Sequence, residues 1–491
     1  MRTKPEVGTR KQENQTRTGK EIRASLAMKL SMSSRKSEGT NLARAVSIVI
    51  LLAVLGVWGT AYGQAIKVGD EVVLMAAGPG GARRGKTAVA FGKDVFLAAW
   101  QDGWHGLGGS SRIYVIRVGL DGKPLDAKAV EIAPCKTGVQ ENPRVAFFPS
   151  AGSGRAGGNF LVVWQDMRNG KDCDILGARI SPDGEVLDAR PITIAAAPRT
   201  QAMPDVAADG KGFMIVWHGF RGEEVEAKVF ARRVGADGAA GETAVVSAGS
   251  SPRIAWNGKE HLVVYSNGFR SGAGITQMKA WQRMDMAGKP LSKRRILHRF
   301  FVEGPIRYSI GAMPEGKGWV IVSHGGSPNF WHRSVGAQLA TSITPDGKLA
   351  ADMPSGKTYD PKTKKRMIPA NWLDTSVGKK VHSTRGSAHI AAVWPYGGSA
   401  VARDGRYCVA VWQRYKIGGR DRVQLSNGDV RASRLDGWKP LDGDGGVPVA
   451  ASAAEELNPA LAGNGAGKLL CVYEKMKDGR SSIAARSLHT R

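Results

Sequence analysis

Six strings in this chain run through apolar residues to an aromatic: Phe96-Leu97-Ala98-Ala99-Trp100, Phe160-Leu161-Val162-Val163-Trp164, Phe213-Met214-Ile215-Val216-Trp217, Leu262-Val263-Val264-Tyr265, Cys408-Val409-Ala410-Val411-Trp412 and Leu469-Leu470-Cys471-Val472-Tyr473. A degenerate copy, Trp319-Val320-Ile321-Val322, falls fifth in chain order. Their ends are spaced by 64, 53, 48, 57, 90 and 61 residues, a repeat period stretched by insertions. No apolar stripe at helical spacing accompanies them, so the repeats are built from strands.

Each copy has the same order of parts. A short strand such as Pro204-Asp205-Val206-Ala207 leads through Asp209-Gly210 to the apolar strand, then a polar hairpin, a third strand such as Val229-Phe230-Ala231-Arg232, an Asp237-Gly238 turn and a fourth strand. The second turn recurs at Asp121-Gly122, Asp183-Gly184, Asp346-Gly347 and Asp436-Gly437, with Ala287-Gly288 as a variant. Asp and Gly tolerate the positive φ of a tight hairpin. A four-stranded sheet cannot bury both its faces alone, whereas seven arranged radially can. The pattern therefore predicts an all-β fold, a single seven-bladed β-propeller over residues 66–491.

Closure follows from the ends. The last copy stops after its third strand, around Ser482-Ile483-Ala484-Ala485-Arg486, and the missing strand lies at the other end, between Ala65 and Met75. N- and C-terminal strands are thus expected to complete one blade.

With 491 residues, 42% hydrophobic and 23% charged, the chain is not wholly disordered, and 64 Gly with 13 Trp exclude a coiled coil. Lys and Arg number 70 against 43 Asp and Glu, a formal charge of +27 that points to a polyanionic partner. Residues 1–44 hold eleven Lys or Arg and four Glu with little apolar periodicity, which reads as a disordered basic region. Residues 45–65 are uncharged and apolar, as in a signal peptide cleaved before Gln64 or Ile66; a membrane anchor through residues 45–66 is the alternative. Either one exports the remainder to the periplasm, cell surface or medium. No metal or cofactor is expected.

The string Val163-Trp164-Gln165-Asp166-Met167-Arg168-Asn169-Gly170, followed by Asp174-Ile175-Leu176-Gly177-Ala178-Arg179 and Asp183-Gly184, resembles repeats of bacterial secreted and cell-surface β-propellers. The likeness covers about residues 66–491, strongly in copies one to three and six and weakly in copy five. It implies export and a propeller, and no defined activity. In the family pattern Asp166, Arg168 and Asp174 brace the hairpin. Asp166, Asn169, Asp172 and Asp174 also suggest a calcium loop, but without EF-hand spacing and without counterparts in copies one, three and six.

Catalytic signatures are absent: no Gly-x-Ser-x-Gly, His-Glu-x-x-His, Cys-x-x-Cys or Ser-x-Asp-x-Gly-x-Thr-Trp string occurs. Gly80-Gly81-Ala82-Arg83-Arg84-Gly85-Lys86-Thr87 matches a phosphate loop, yet a strand and not a helix follows it. Of four cysteines, Cys408 and Cys471 lie inside apolar strands and are expected as buried thiols. Cys135 and Cys173 fall in loops of one face and form the candidate disulfide.

That face carries loops leaving each second strand and links from each fourth strand to the next blade. It collects Trp104, His105, Asp166, Arg168, His218, Arg221, His324, Trp331, His332, Arg414, Tyr415 and Lys475 as binding candidates. An insertion at residues 354–398 adds Lys362, Lys364, Lys365 and Arg366 within a net charge of +6, and it stands outside the repeat pattern. The leading function is a non-enzymatic exported propeller binding an anionic glycan or a protein partner of the cell envelope; nucleic acid is disfavoured by export. The alternative is a lyase or glycoside hydrolase on uronic or sulfated polysaccharide, with His218, His324 and Tyr415 as first candidates for the base. An envelope scaffold is a third possibility.

Overall fold

The computed structural model describes residues 66–78, 83–103, 109–135, 137–149, 157–220, 226–271, 274–301, 308–325, 337–349, 372–374, 396–418 and 424–490. They form seven antiparallel sheets, one per repeat. Blade 3 shows the plan: Gln201–Asp209 is innermost, then Gly212–Gly219, Lys228–Val234 and Ala240–Ala248 outward. Each second strand is buried on both faces, which is why it reads as an unbroken apolar run; Trp100, Trp164 and Trp412 are fully covered.

The core is divided into seven clusters, each between two neighbouring blades. One joins Leu97 and Ala99 of blade 1 to Phe160, Val162 and Trp164 of blade 2. Another joins Leu74, Leu470 and Val472 of the last blade to Phe96 and Trp100 of the first. A ring with no interrupted interface buries apolar surface on every blade, each fully buried large side chain contributing about 1.5–3 kcal/mol.

Closure is as expected from the ends. Lys67–Met75 pairs antiparallel with Arg480–His489, from Lys67 opposite His489 to Met75 opposite Ile483. Glu71 pins this strand, accepting hydrogen bonds from Tyr473 Oη at 2.7 Å and Lys475 Nζ at 2.5 Å. The strand of the degenerate fifth copy is Trp319–Gly325, and its register places Val322 opposite Ser309 where other blades hold their aromatic.

Two expectations are corrected. The insertion is not wholly outside the repeat: Trp372–Asp374 pairs with Ala337–Ile343 as the outer strand of blade 5. Cys135 and Cys173 are both free thiols. Cys173 is buried, takes a contact from Gln165 Nε2 at 3.6 Å and has its thiol pushed up to about 12 by burial, so it faces the blade interior. The expected signal peptide or anchor at residues 45–65 lies outside the described residues, and among the described residues no helix is long and apolar enough to cross a membrane. Cys408 and Cys471 are buried free thiols, as expected.

Candidate functional site

Every innermost strand starts at the same end of the central channel; six start with a bulge, and in five of those a residue at the bulge has left-handed backbone. Lys86, Asn142, Met203, Ser251 and Asn458 each adopt positive φ, between 49° and 54°, beside a break in ladder register. In four of the five the next residue is proline: Pro143, Pro204, Pro252 and Pro459. Proline fits there because the position lies in an edge strand at a bulge, where no ladder N–H is required. The residue after it lines the channel.

At that one register position the seven blades present Ala88, Arg144, Asp205, Arg253, Ile310, Ala400 and Ala460 around a cavity of about 450 Å³. Charge is confined to blades 2, 3 and 4. Arg144 Nε lies 3.6 Å from Asp205 Oδ1, and Asp205 Oδ2 accepts the Ile254 N–H at 2.9 Å, so one carboxylate of blade 3 ties to its neighbours on both sides. Arg144 and Arg253 each donate to the carbonyl of their own preceding proline, at 2.9 and 2.7 Å. Enclosure by the channel wall, with the nearby Arg253 cation, pulls Arg144 down to about 10 against the opposing pull of Asp205; it stays charged at neutral pH. Among the described lining residues Asp205 is the sole carboxylate. Across the channel, Ser309 and Ser399 hydroxyls meet at 3.0 Å.

In three blades the residue after the repeat aromatic holds the next blade's bulge. Gln165 Oε1 accepts the Met203 N–H at 2.9 Å, His218 Nδ1 accepts the Ser251 N–H at 3.2 Å and Gln413 Oε1 accepts the Asn458 N–H at 3.1 Å. His218 is therefore a latch. Its Nδ1 is occupied as an acceptor, which leaves the proton on Nε2 and removes it as a base. Burial, reinforced by Arg253, lowers it to about 4. Tyr308, beside Arg253, donates its hydroxyl to the Ser251 and Val264 carbonyls, and burial raises it, so it is no base either.

Other sequence candidates are occupied structurally. Asp166 accepts Arg168 Nη2 at 2.7 Å and Trp164 Nε1 at 2.8 Å; burial alone would push its carboxyl up, but these bonds hold it below the usual range. Asn169 Nδ2 bridges Asp172 and Asp174 at 2.8 and 3.0 Å, filling the suggested calcium loop with an amide, and no metal-binding group of three or more His, Cys, Asp or Glu occurs among the described residues. Arg414 pairs with Asp429 at 3.6 Å and Lys475 with Glu71. His324 and Tyr415 lie in the strands Trp319–Gly325 and Cys408–Gly418. Trp104, His105, Arg221, Trp331, His332, Lys362, Lys364, Lys365 and Arg366 lie outside the described residues. Ladder pairs of Ala202 with His218, Tyr396 with Arg414 and Glu456 with Lys475 set these second-strand ends beside the channel mouth. Arg144, Asp205 and Arg253 were missed by sequence reasoning; the Asn142-Pro143-Arg144, Met203-Pro204-Asp205 and Ser251-Pro252-Arg253 strings were the available signal.

No described protein family matches the chain, and no curated protein does. Solved structures similar to it are all of low identity. An α-L-arabinofuranosidase of Fusarium graminearum is 10% identical, with a TM-score of 0.44 over 85% of this chain and 97% of that one. The hemagglutinin-neuraminidase ectodomain of parainfluenza virus 5 is 8% identical, TM-score 0.41, over 95% and 98%. The propeller domain of the Trilobed protease from Pyrococcus furiosus is 10% identical, TM-score 0.42, over 84% and 95%. The seven sheets of the described residues give the seven-bladed propeller independently of these likenesses. The expectation of a non-enzymatic protein is corrected here: an arabinofuranosidase and a hemagglutinin-neuraminidase stand among the similar structures, and a propeller fold by itself gives no ground for setting catalysis aside.

Proposed function

We propose that this protein acts on an acidic polysaccharide, uronic or sulfated, and engages an anionic sugar unit at the channel mouth. The observation that carries this is the convergence of Arg144 and Arg253 on either side of one carboxylate, Asp205, in a cavity wide enough for a sugar ring. Guanidinium groups present planar donor forks that match carboxylates and sulfates. Hydrolysis of a glycosidic bond ordinarily uses a pair of carboxyl groups, whereas elimination needs one base and a cation on the uronate carboxylate. One carboxylate between two guanidinium groups supports elimination. Asp205 takes the proton from the carbon beside the sugar carboxylate, Arg144 and Arg253 stabilise the charge that builds there, the freed electron pair forms a carbon–carbon double bond to the neighbouring carbon, and the leaving oxygen departs with the electrons of its bond and takes a proton from solvent. The expected export would bring such polymers within reach.

The test incubates the full chain with unsulfated and sulfated uronate polymers and follows near-ultraviolet absorbance of unsaturated ends, reducing ends, and retention. Unsaturated ends on at least one polymer, abolished by D205N and R144Q, are expected. Reducing ends without unsaturation would replace elimination by hydrolysis. Polymers neither retained nor cleaved would refute the assignment.

A further inference from the structure

At the depth of Arg144, Asp205 and Arg253 the described channel wall is charged on one side; of the other cations near the mouth, Arg414 and Lys475 are paired with Asp429 and Glu71, and Lys86 of blade 1 lines the cavity next to blade 2. At the register position that places Arg144, Asp205 and Arg253 in blades 2, 3 and 4, the opposite arc carries Ile310, Ala400 and Ala460. One position earlier on that arc stand Ser309 and Ser399, whose hydroxyls bond each other at 3.0 Å. Among the described lining residues of blades 5 to 7 no cation balances a second anionic group, and their methyl and hydroxyl surface matches the C–H face and hydroxyls of an uncharged portion of a sugar.

We infer that the site is specific for a sugar unit bearing a single carboxylate, a uronic acid, and discriminates against units carrying several sulfates. This rests on the channel mouth being the glycan site. The carboxylate sits against Arg144 and Arg253. A multiply sulfated unit in the same pose turns at least one sulfate toward Ile310, Ala400 and Ala460, where it loses its hydration without gaining a cation. Rejection by an unpaired buried charge is a stronger filter than loss of an attractive contact. Asp205 adds to it, since a second anion near its carboxylate is repelled.

Calorimetric titration with three oligosaccharides of equal length separates the outcomes: an unsulfated polyuronate, its carboxyl-reduced neutral counterpart, and a heparin fragment. At physiological salt the uronate is expected to bind at least about tenfold tighter than either other ligand, the discrimination expected of one unpaired charged group. The A400K variant, checked for folding by thermal melting, should narrow the gap by admitting the heparin fragment. Heparin binding as tightly as the uronate in the wild type would overturn the specificity while leaving a glycan site standing. Equal binding of the carboxyl-reduced ligand, or binding of none, would overturn both.

Discussion

His218 illustrates how a residue that looks chemical becomes structural. Its Nδ1 must stay unprotonated to accept the Ser251 N–H, and burial together with Arg253 keeps it so down to about pH 4. Because the folded value lies below the ordinary 6.5, its contribution is fully present above pH 6.5 and is lost as pH falls toward 4, by about 3 kcal/mol when fully developed. Chemical denaturation of wild type and H218Q between pH 7 and 4.5 checks this. Glutamine occupies the equivalent place in blades 2 and 6, so H218Q should keep the latch and flatten the pH dependence, whereas H218A should lose about 1–2 kcal/mol at pH 7 by leaving the bulge N–H unpaired. Arg144 behaves oppositely. R144Q removes a cation that its neighbour Arg253 opposes, so stability should stay within about 1 kcal/mol of wild type while uronate affinity falls about tenfold, the worth of a charge-assisted hydrogen bond.

Between elements, the blades are joined by third-strand arginines. Arg179 forms a fork with Asp188 at 2.6 Å and donates to Ala236 O of the next blade at 2.8 Å; Arg117, Arg233 and Arg283 reach Pro182, Met286 and Pro345 in the same way. Gly238 has positive φ, and a Cβ there would approach Arg179 to 3.0 Å, so glycine at this turn serves both the hairpin and the neighbouring clamp. R179A leaves Asp188 with a buried charge and should cost about 2–3 kcal/mol, measured by denaturant unfolding. The insertion belongs at this scale too. Deleting residues 354–395 removes the outer strand Trp372–Asp374 while sparing the innermost strand Tyr396–Arg403 of blade 6, and should lower the melting temperature, an effect that a purely decorative segment would not have.

Over the whole molecule, closure depends on Lys67–Met75, which completes the blade begun by Glu455–Gly463. Deleting residues 65–77 takes Leu74 from the core between the last and first blades and unpairs Arg480–His489. Loss of cooperative unfolding, or a melting point well below that of the parent, is the expected result; an unchanged melt would show that the ring holds without its closing strand. Glu71 sharpens the point. Burial would raise its carboxyl, but Lys475 and Tyr473 hold it below its usual value, so the latch is intact at neutral pH and weakens only as acid protonates it.

The sequence by itself determined the architecture: the aromatic-ended strands, the Asp-Gly turns and the orphan strand at each end are local signals, repeated often enough for degenerate Trp319-Val320-Ile321-Val322 to be placed by its neighbours. Hairpin pairing and two-faced burial depend on residues close in the chain, which is why they were legible. Tertiary structure alone decided the site. Arg144, Asp205 and Arg253 come from three repeats and meet only because equivalent positions of successive blades face one axis. It also decided which polar residues were already engaged, since whether His218 or Lys475 is free for a ligand depends on partners that the linear order does not place beside them.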